Sequence, residues 1–143
     1  MYAIEDENKA VGFMVTVKSV HPKWMYLLFF AIDANCRGCN YGGRAIQTLI
    51  KEHSDKIFFG CIERLDPQAE NYKQRVARER FYINNGFTIS DVHFEIKDKM
   101  EKMTVILTSD SKERQEIIDR IAEIVCLLMH ISVEHFFEVA EFE

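Results

Sequence analysis

Proline is almost missing from this chain. Two prolines, Pro22 and Pro67, serve 143 residues, and no Pro- or Ser-rich linker, internal repeat or low-complexity stretch accompanies them, so the length fits about one domain. Long apolar runs are absent too: none approaches the roughly 20 residues that a helix needs to span a bilayer. The beginning, Met1 to Asp6, lacks the basic and apolar layout of a secretory signal, and a soluble cytoplasmic protein with no membrane partner is expected. Basic charge is in deficit. Eighteen Lys and Arg face 23 Asp and Glu, for a net charge of −5, and no polybasic stretch suggests nucleic acid as a partner. Cysteines number four, Cys36, Cys39, Cys61 and Cys126, and only the first two are near each other, which is not a secreted disulfide framework. None of the five scattered histidines pairs with a cysteine at metal-ligand spacing, so no metal site is expected.

What the chain does have is a rich aromatic and aliphatic complement, led by 11 phenylalanines, enough for a sizeable core. Tyr2 to Glu5 and Val11 to Val17 read as a hairpin around the turn Asp6-Glu7-Asn8-Lys9. His21-Pro22-Lys23 breaks the pattern, and the nearly continuous apolar run Met25 to Ile32 suits a strand buried on both faces. Tyr41, Ala45, Ile46, Leu49 and Ile50 recur at helical spacing. Ile57 to Ile62 is another buried strand, and Glu63 to Asn71, with Pro67, is a loop. Tyr72 to Asn84 reads as a helix closed by Asn85-Gly86. Phe87 to Ile96 and Met103 to Thr108 form an antiparallel pair around the charged turn Lys97 to Lys102. Asp110 with Glu113 makes a capping box for a long apolar helix, Lys112 to about His130. In it Ile117, Ile121, Ile124 and Leu128 make one stripe, with Ile118, Val125 and Met129 beside it. The tail, Ile131 to Phe142, either continues that helix or forms a short strand. The fold class is α/β (α+β): a mixed, mostly antiparallel sheet with flanking helices, whose central strand-helix-strand unit is a right-handed crossover.

Two motifs carry chemistry. Arg37-Gly38-Cys39-Asn40-Tyr41-Gly42-Gly43 lies between an apolar strand and a helix. A glycine-rich turn there leaves backbone N–H groups pointing together toward the positive end of the helix dipole, where a phosphate or pyrophosphate is favoured. About 40 residues on stands Phe81-Tyr82-Ile83-Asn84-Asn85-Gly86-Phe87.

The pair, in this order, resembles the GNAT-type N-acetyltransferases. Arg37 fits the first position of that family's phosphate-binding motif and Gly42 the last, while Asn40 stands where the family has its first glycine. The second stretch matches the family's Phe-Tyr to Gly-Phe landmark. The resemblance covers roughly residues 2–108 and implies a GNAT-like acetyl-coenzyme A-binding core over residues 1–109, with 110–143 as a C-terminal helical extension. It implies acetyl-coenzyme A as cosubstrate and a small-molecule or peptide amine as acceptor. Arg37, Gly38, Cys39, Asn40, Tyr41, Gly42 and Gly43 would hold the pyrophosphate, and the backbone near Ala31 and Ile32 would meet the thioester. Tyr82 would protonate the departing thiolate, since the unperturbed pKa of a phenol lies slightly above that of a thiol. Glu63 is the candidate base for the acceptor. Asn40 tolerates positive φ better than other non-glycine residues and so can keep the loop's shape.

The family normally places a strand and two helices before the hairpin with which this sequence opens. The chain is then either a piece of a longer protein or one in which the Lys112 to His130 helix covers that side, within the subunit or across a homodimer. Two rival functions keep a place. One is a catalytically degenerate acyl-coenzyme A-binding regulatory module. The other is a dithiol oxidoreductase built on Cys36-Arg37-Gly38-Cys39, against which stands the lack of a proline ahead of a later strand to face the cysteines. Arg75, Arg78 and Arg80 read as an exposed helix face.

Overall fold

The structure, a computed structural model, describes residues 1–109 and 112–143. It divides into two compact units, Met1–Phe58 and Phe59–Glu143.

In the first unit, β1 (Tyr2–Asp6), β2 (Lys9–Lys18) and β3 (Trp24–Ile32) form an antiparallel meander. Asp6 pairs with Lys9, so the connecting turn is Glu7-Asn8, and both residues take positive φ (48° and 64°). A two-residue hairpin of type I′ needs that conformation at both positions. Gly12 in β2 lies opposite Ile32, and a Cβ at this position would stand 2.3 Å from the Ala31 carbonyl oxygen. Only glycine lets the two backbones approach so closely. Beyond a 3-10 turn (Ala34–Cys36), helix α1 (Tyr41–Glu52) buries Gly43, Ile46 and Leu49. The core of this unit includes Val11, Met14, Trp24, Met25, Tyr26 and Leu27. Burial stops halfway along β3. Trp24 to Leu27 are enclosed, whereas Phe29 is 59% exposed and Ala31 is exposed. The expectation of a strand buried on both faces therefore holds for its first half alone: hydrophobicity is continuous along β3, but cover is not.

In the second unit the strand order is β4 (Ile57–Glu63), β6 (Glu101–Leu107), β5 (Thr88–Ile96), β7 (Ala140–Phe142), with antiparallel pairs throughout. Helix α2 (Tyr72–Asn84) ends as its sequence suggests, with Gly86 at φ 95° beyond the Asn85 cap. Helix α3 (Arg114–Met129) buries Ile117, Ile118, Ile121, Ala122, Ile124 and Cys126. Its apolar stripe frays at the end, where Leu127 and Leu128 are exposed. Of the anticipated capping box, Asp110 lies outside the described residues; Glu113 is the N-cap residue, and its side chain makes no capping bond. The tail does two things in turn. Ser132 caps a short helix, α4 (Val133–Val139), by accepting from the His135 N–H at 3.1 Å, and β7 then pairs with β5. No helix among the described residues is long and apolar enough to cross a membrane.

Candidate active site

The first group of predicted residues runs from the end of β3 (Ala31, Ile32) through a loop (Arg37 to Asn40) into the first turn of α1 (Tyr41 to Gly43). Asp33 closes the turn after β3, its carboxylate accepting from the Asn35 N–H at 2.8 Å while its carbonyl accepts from the Cys36 N–H at 2.9 Å. Arg37 is extended (φ −68°, ψ 153°), and its Nε donates to the Ile32 carbonyl at 3.4 Å, tying the loop to the end of β3. Gly38 has φ 87°, a conformation that residues with a Cβ seldom adopt. Asn40 sits in the left-handed region (φ 58°, ψ 23°), as its residue type suggests, and immediately precedes α1.

That geometry bears on anion binding. The Asn40 side chain makes no capping hydrogen bond, so it leaves the first-turn N–H groups of Tyr41, Gly42 and Gly43 without a side-chain acceptor from the cap. The Arg44 N–H is the first to close an intrahelical bond, to the Asn40 carbonyl at 3.1 Å. No acidic residue lies in this first turn. A helix N-terminus with two glycines, no side-chain cap and no acidic residue in its first turn suits a phosphate oxygen. The ring of Tyr41 is fixed from both sides: its hydroxyl donates to Asp6 at 2.5 Å, and the Arg44 guanidinium stands 5.9 Å from the ring centroid. Cys36 and Cys39 are free thiols, the second of them exposed.

Tyr82 and Glu63 belong to the second unit. Tyr82 lies in the last turn of α2, between the edges of Phe81 (centroids 5.3 Å apart) and Phe87 (5.2 Å). The Phe87 N–H donates to the Tyr82 carbonyl at 3.0 Å, so the Gly86 turn folds Phe87 back against the phenol. Burial pushes the Tyr82 hydroxyl pKa above that of a free phenol, and the Arg78 charge pulls it part of the way down. The group is therefore protonated at neutral pH.

Glu63, the last residue of β4, is fully engaged. Asn71 Nδ2 donates to its Oε2 at 2.9 Å, Arg75 pairs with the same oxygen at 3.2 Å, and Arg78 donates to Oε1 at 2.5 Å. The hydrogen bonds from Asn71 and Arg78 hold its carboxyl below the usual range, with the charges of both arginines adding to them. A carboxylate held in this way is a weaker proton acceptor than a free one. From sequence, Glu63 is a candidate base and Arg75, Arg78 and Arg80 are an exposed helix face. Arg78 and Arg80 are exposed as expected, but Arg75 and Arg78 are also the partners of Glu63. Their spacing from Tyr82, seven and four residues, puts all three on one side of a helix, a signal that the sequence did carry. Among the described residues, no cluster of three or more His, Cys, Asp or Glu is placed to hold a metal ion.

The profile of the Acetyltransferase (GNAT) family matches residues 1–87. No curated protein matches the chain in sequence. Among solved structures, a GNAT-family protein from Bacteroides thetaiotaomicron is similar at 20% identity, with a TM-score of 0.66 over 89% of this chain and 70% of that one. An acetyltransferase from Bacillus subtilis in complex with CoA is similar at 10% identity, with a TM-score of 0.57 over 72% and 71%. A GNAT family acetyltransferase from Elizabethkingia anophelis with acetyl-CoA bound is similar at 13%, with a TM-score of 0.56 over 73% and 72%. At these identities the likeness is one of fold, and it agrees with the α/β class and flanking helices expected from the sequence.

Proposed function

The chain belongs to the GNAT acetyltransferase family, and on that premise we propose that it transfers an acetyl group from acetyl-coenzyme A to an amine by direct attack, with no acyl-enzyme intermediate. The observation that carries this reading is the left-handed Asn40 at the head of α1, which keeps the loop shape of a phosphate cradle although the usual glycine is replaced. Solved structures of the same fold hold CoA or acetyl-CoA, which supports the choice of cosubstrate.

Acetyl-coenzyme A supplies the acetyl group already activated as a thioester. The N–H groups of the stretch from Arg37 to Gly43 would hold its pyrophosphate, and the open end of β3 at Ala31 and Ile32 offers backbone to the acyl end. Tyr82, kept protonated by burial, is the proton donor to the departing sulfur. Cys36 and Cys39 have no part in the transfer. The acceptor is a small-molecule or peptide amine that reaches the site as the free base. The segment beyond residue 109 is an extension of the acetyl-coenzyme A-binding core, and it serves as cover for the acceptor side.

Two measurements test this. Acetyl-coenzyme A should raise the melting temperature, since a ligand at 100 times its Kd stabilises the native state by about 2.7 kcal/mol. Thiol release with a panel of amines should then identify a turning-over acceptor. Binding with no turnover for any amine favours the degenerate regulatory module, and no binding overturns the reading.

A further inference from the structure

Glu63, Asn71, Arg75 and Arg78 form a closed polar network. Asn71 faces both ways: its Nδ2 donates to Glu63 at 2.9 Å, and its Oδ1 accepts from Arg75 Nε at 2.7 Å. Arg75 also donates to the Arg64 carbonyl at 2.8 Å, just past the end of β4. With the two ion pairs to Glu63, the first two turns of α2 are therefore fastened to the end of β4 at several points on one helix face. Tyr82 lies on that same face, one turn beyond Arg78. A rotation of α2 by a single residue, about 100°, would break every one of these bonds and swing the phenol away.

Resting on the assignment of Tyr82 as proton donor, we propose that the Glu63–Arg78 ion pair is a positioning device for Tyr82, and that Glu63 acts on the donor through Arg78 rather than on the acceptor amine. Both Glu63 oxygens are occupied, which fits an anchor. Arg78 bonds Glu63 and precedes Tyr82 by one turn on the same helix face; its charge favours the phenolate form of Tyr82, and Glu63 offsets that charge. The charged groups around this pair are Arg75 on α2, Arg64 and Asp66 in the loop after β4, and Glu101 and Lys102 on β6, which line the same pocket as Glu63; Phe81 and Phe87, which flank the phenol, are uncharged.

The test compares Glu63→Gln, Arg78→Met, Arg78→Lys and Tyr82→Phe in the whole chain. The Tyr82 ionisation is followed by near-ultraviolet phenolate absorbance, each variant read against its own Tyr82→Phe partner, which requires no acceptor. Arg78→Met should move the Tyr82 titration, and the alkaline limb of kcat, to higher pH. Glu63→Gln should move both to lower pH, because it leaves the Arg78 charge without an offset. Each should lower kcat roughly tenfold with KM for acetyl-coenzyme A nearly unchanged, and Arg78→Lys should restore much of the loss. Opposite shifts follow from the two charges alone; positioning is marked by the fall in kcat at neutral pH with KM unchanged and by its recovery in Arg78→Lys, and unchanged kcat in both charge variants overturns it. Parallel or absent shifts, with Tyr82→Phe impaired, overturn this inference alone. A Tyr82→Phe enzyme with unchanged kcat and limb overturns the donor assignment and the inference with it.

Discussion

Tyr41 donates its hydroxyl proton to Asp6 across 2.5 Å, joining the first residue of α1 to the last residue of β1. This bond raises the Tyr41 pKa from 10.0 to about 12, with desolvation and the Asp6 charge adding to it. The protonated phenol is thus the form that the fold prefers. Its stabilisation is complete below the unfolded pKa near 10 and disappears as pH rises through about 12. Tyr41→Phe should therefore be less stable than the parent at pH 8, and the gap should narrow at pH 11. Urea midpoints at both values check this, and a gap of equal size at pH 11 would contradict it.

Asn40 gives a second expectation. At φ 58° an alanine would carry a left-handed backbone strain of about 1–2 kcal/mol, whereas Asn→Gly at a helix cap costs only a few tenths of a kcal/mol. Asn40→Ala should lower stability by about 1 kcal/mol and weaken acetyl-coenzyme A binding. Asn40→Gly should bind it at least as well as the parent, because removing the side chain would leave more room for a phosphate at the head of α1. Calorimetric titration of the three proteins decides between these outcomes.

Much of this was legible in the sequence for a physical reason. Glycine, asparagine and helical periodicity report on backbone geometry one residue at a time. Accordingly the Arg37 to Gly43 loop, the α2 limits and the Gly86 turn all lie where local chemistry puts them. Burial and pairing depend on distant parts of the chain. The exposed second half of β3, the frayed end of α3 and the pairing of Glu63 with the arginines of α2 are hidden for that reason, although the one-sided spacing of Arg75, Arg78 and Tyr82 is not. The tail is ambiguous in the sequence because His130, at φ 54°, ends α3 with a left-handed residue that is not glycine, which leaves Ser132, the cap of α4, as a lone signal of the break.

Gly12 offers a sharper test of packing. An alanine Cβ there would meet the Ala31 carbonyl oxygen at 2.3 Å and Ile32 Cδ1 at 2.8 Å. The isoleucine methyl can rotate away, but the carbonyl is backbone. Gly12→Ala should therefore cost about 1–3 kcal/mol, the usual range for overpacking. It should also loosen the bond from the Asp33 N–H to the Val11 carbonyl, now 2.8 Å, just before the stretch from Arg37 to Gly43. Urea unfolding gives the first effect, and faster amide exchange at Asp33 gives the second.

Phe136 shows how the C-terminal strand is retained. Its side chain is fully buried, with ring centroids 6.1 Å from Phe94, 5.9 Å from Phe137 and 6.0 Å from Phe142. Strand β7 has only three residues, and its pairing with β5 through Ala140, Glu141 and Phe142 is too short to hold without that cluster. Phe136→Ala should cost about 3–5 kcal/mol and release β7 to limited proteolysis before the rest of the unit unfolds. Phe137→Ala, at a position 42% exposed, should cost less than about 1 kcal/mol and leave β7 protected. Equal losses in the two variants would mean that the strand is held by its backbone bonds and not by the aromatic cluster beneath it.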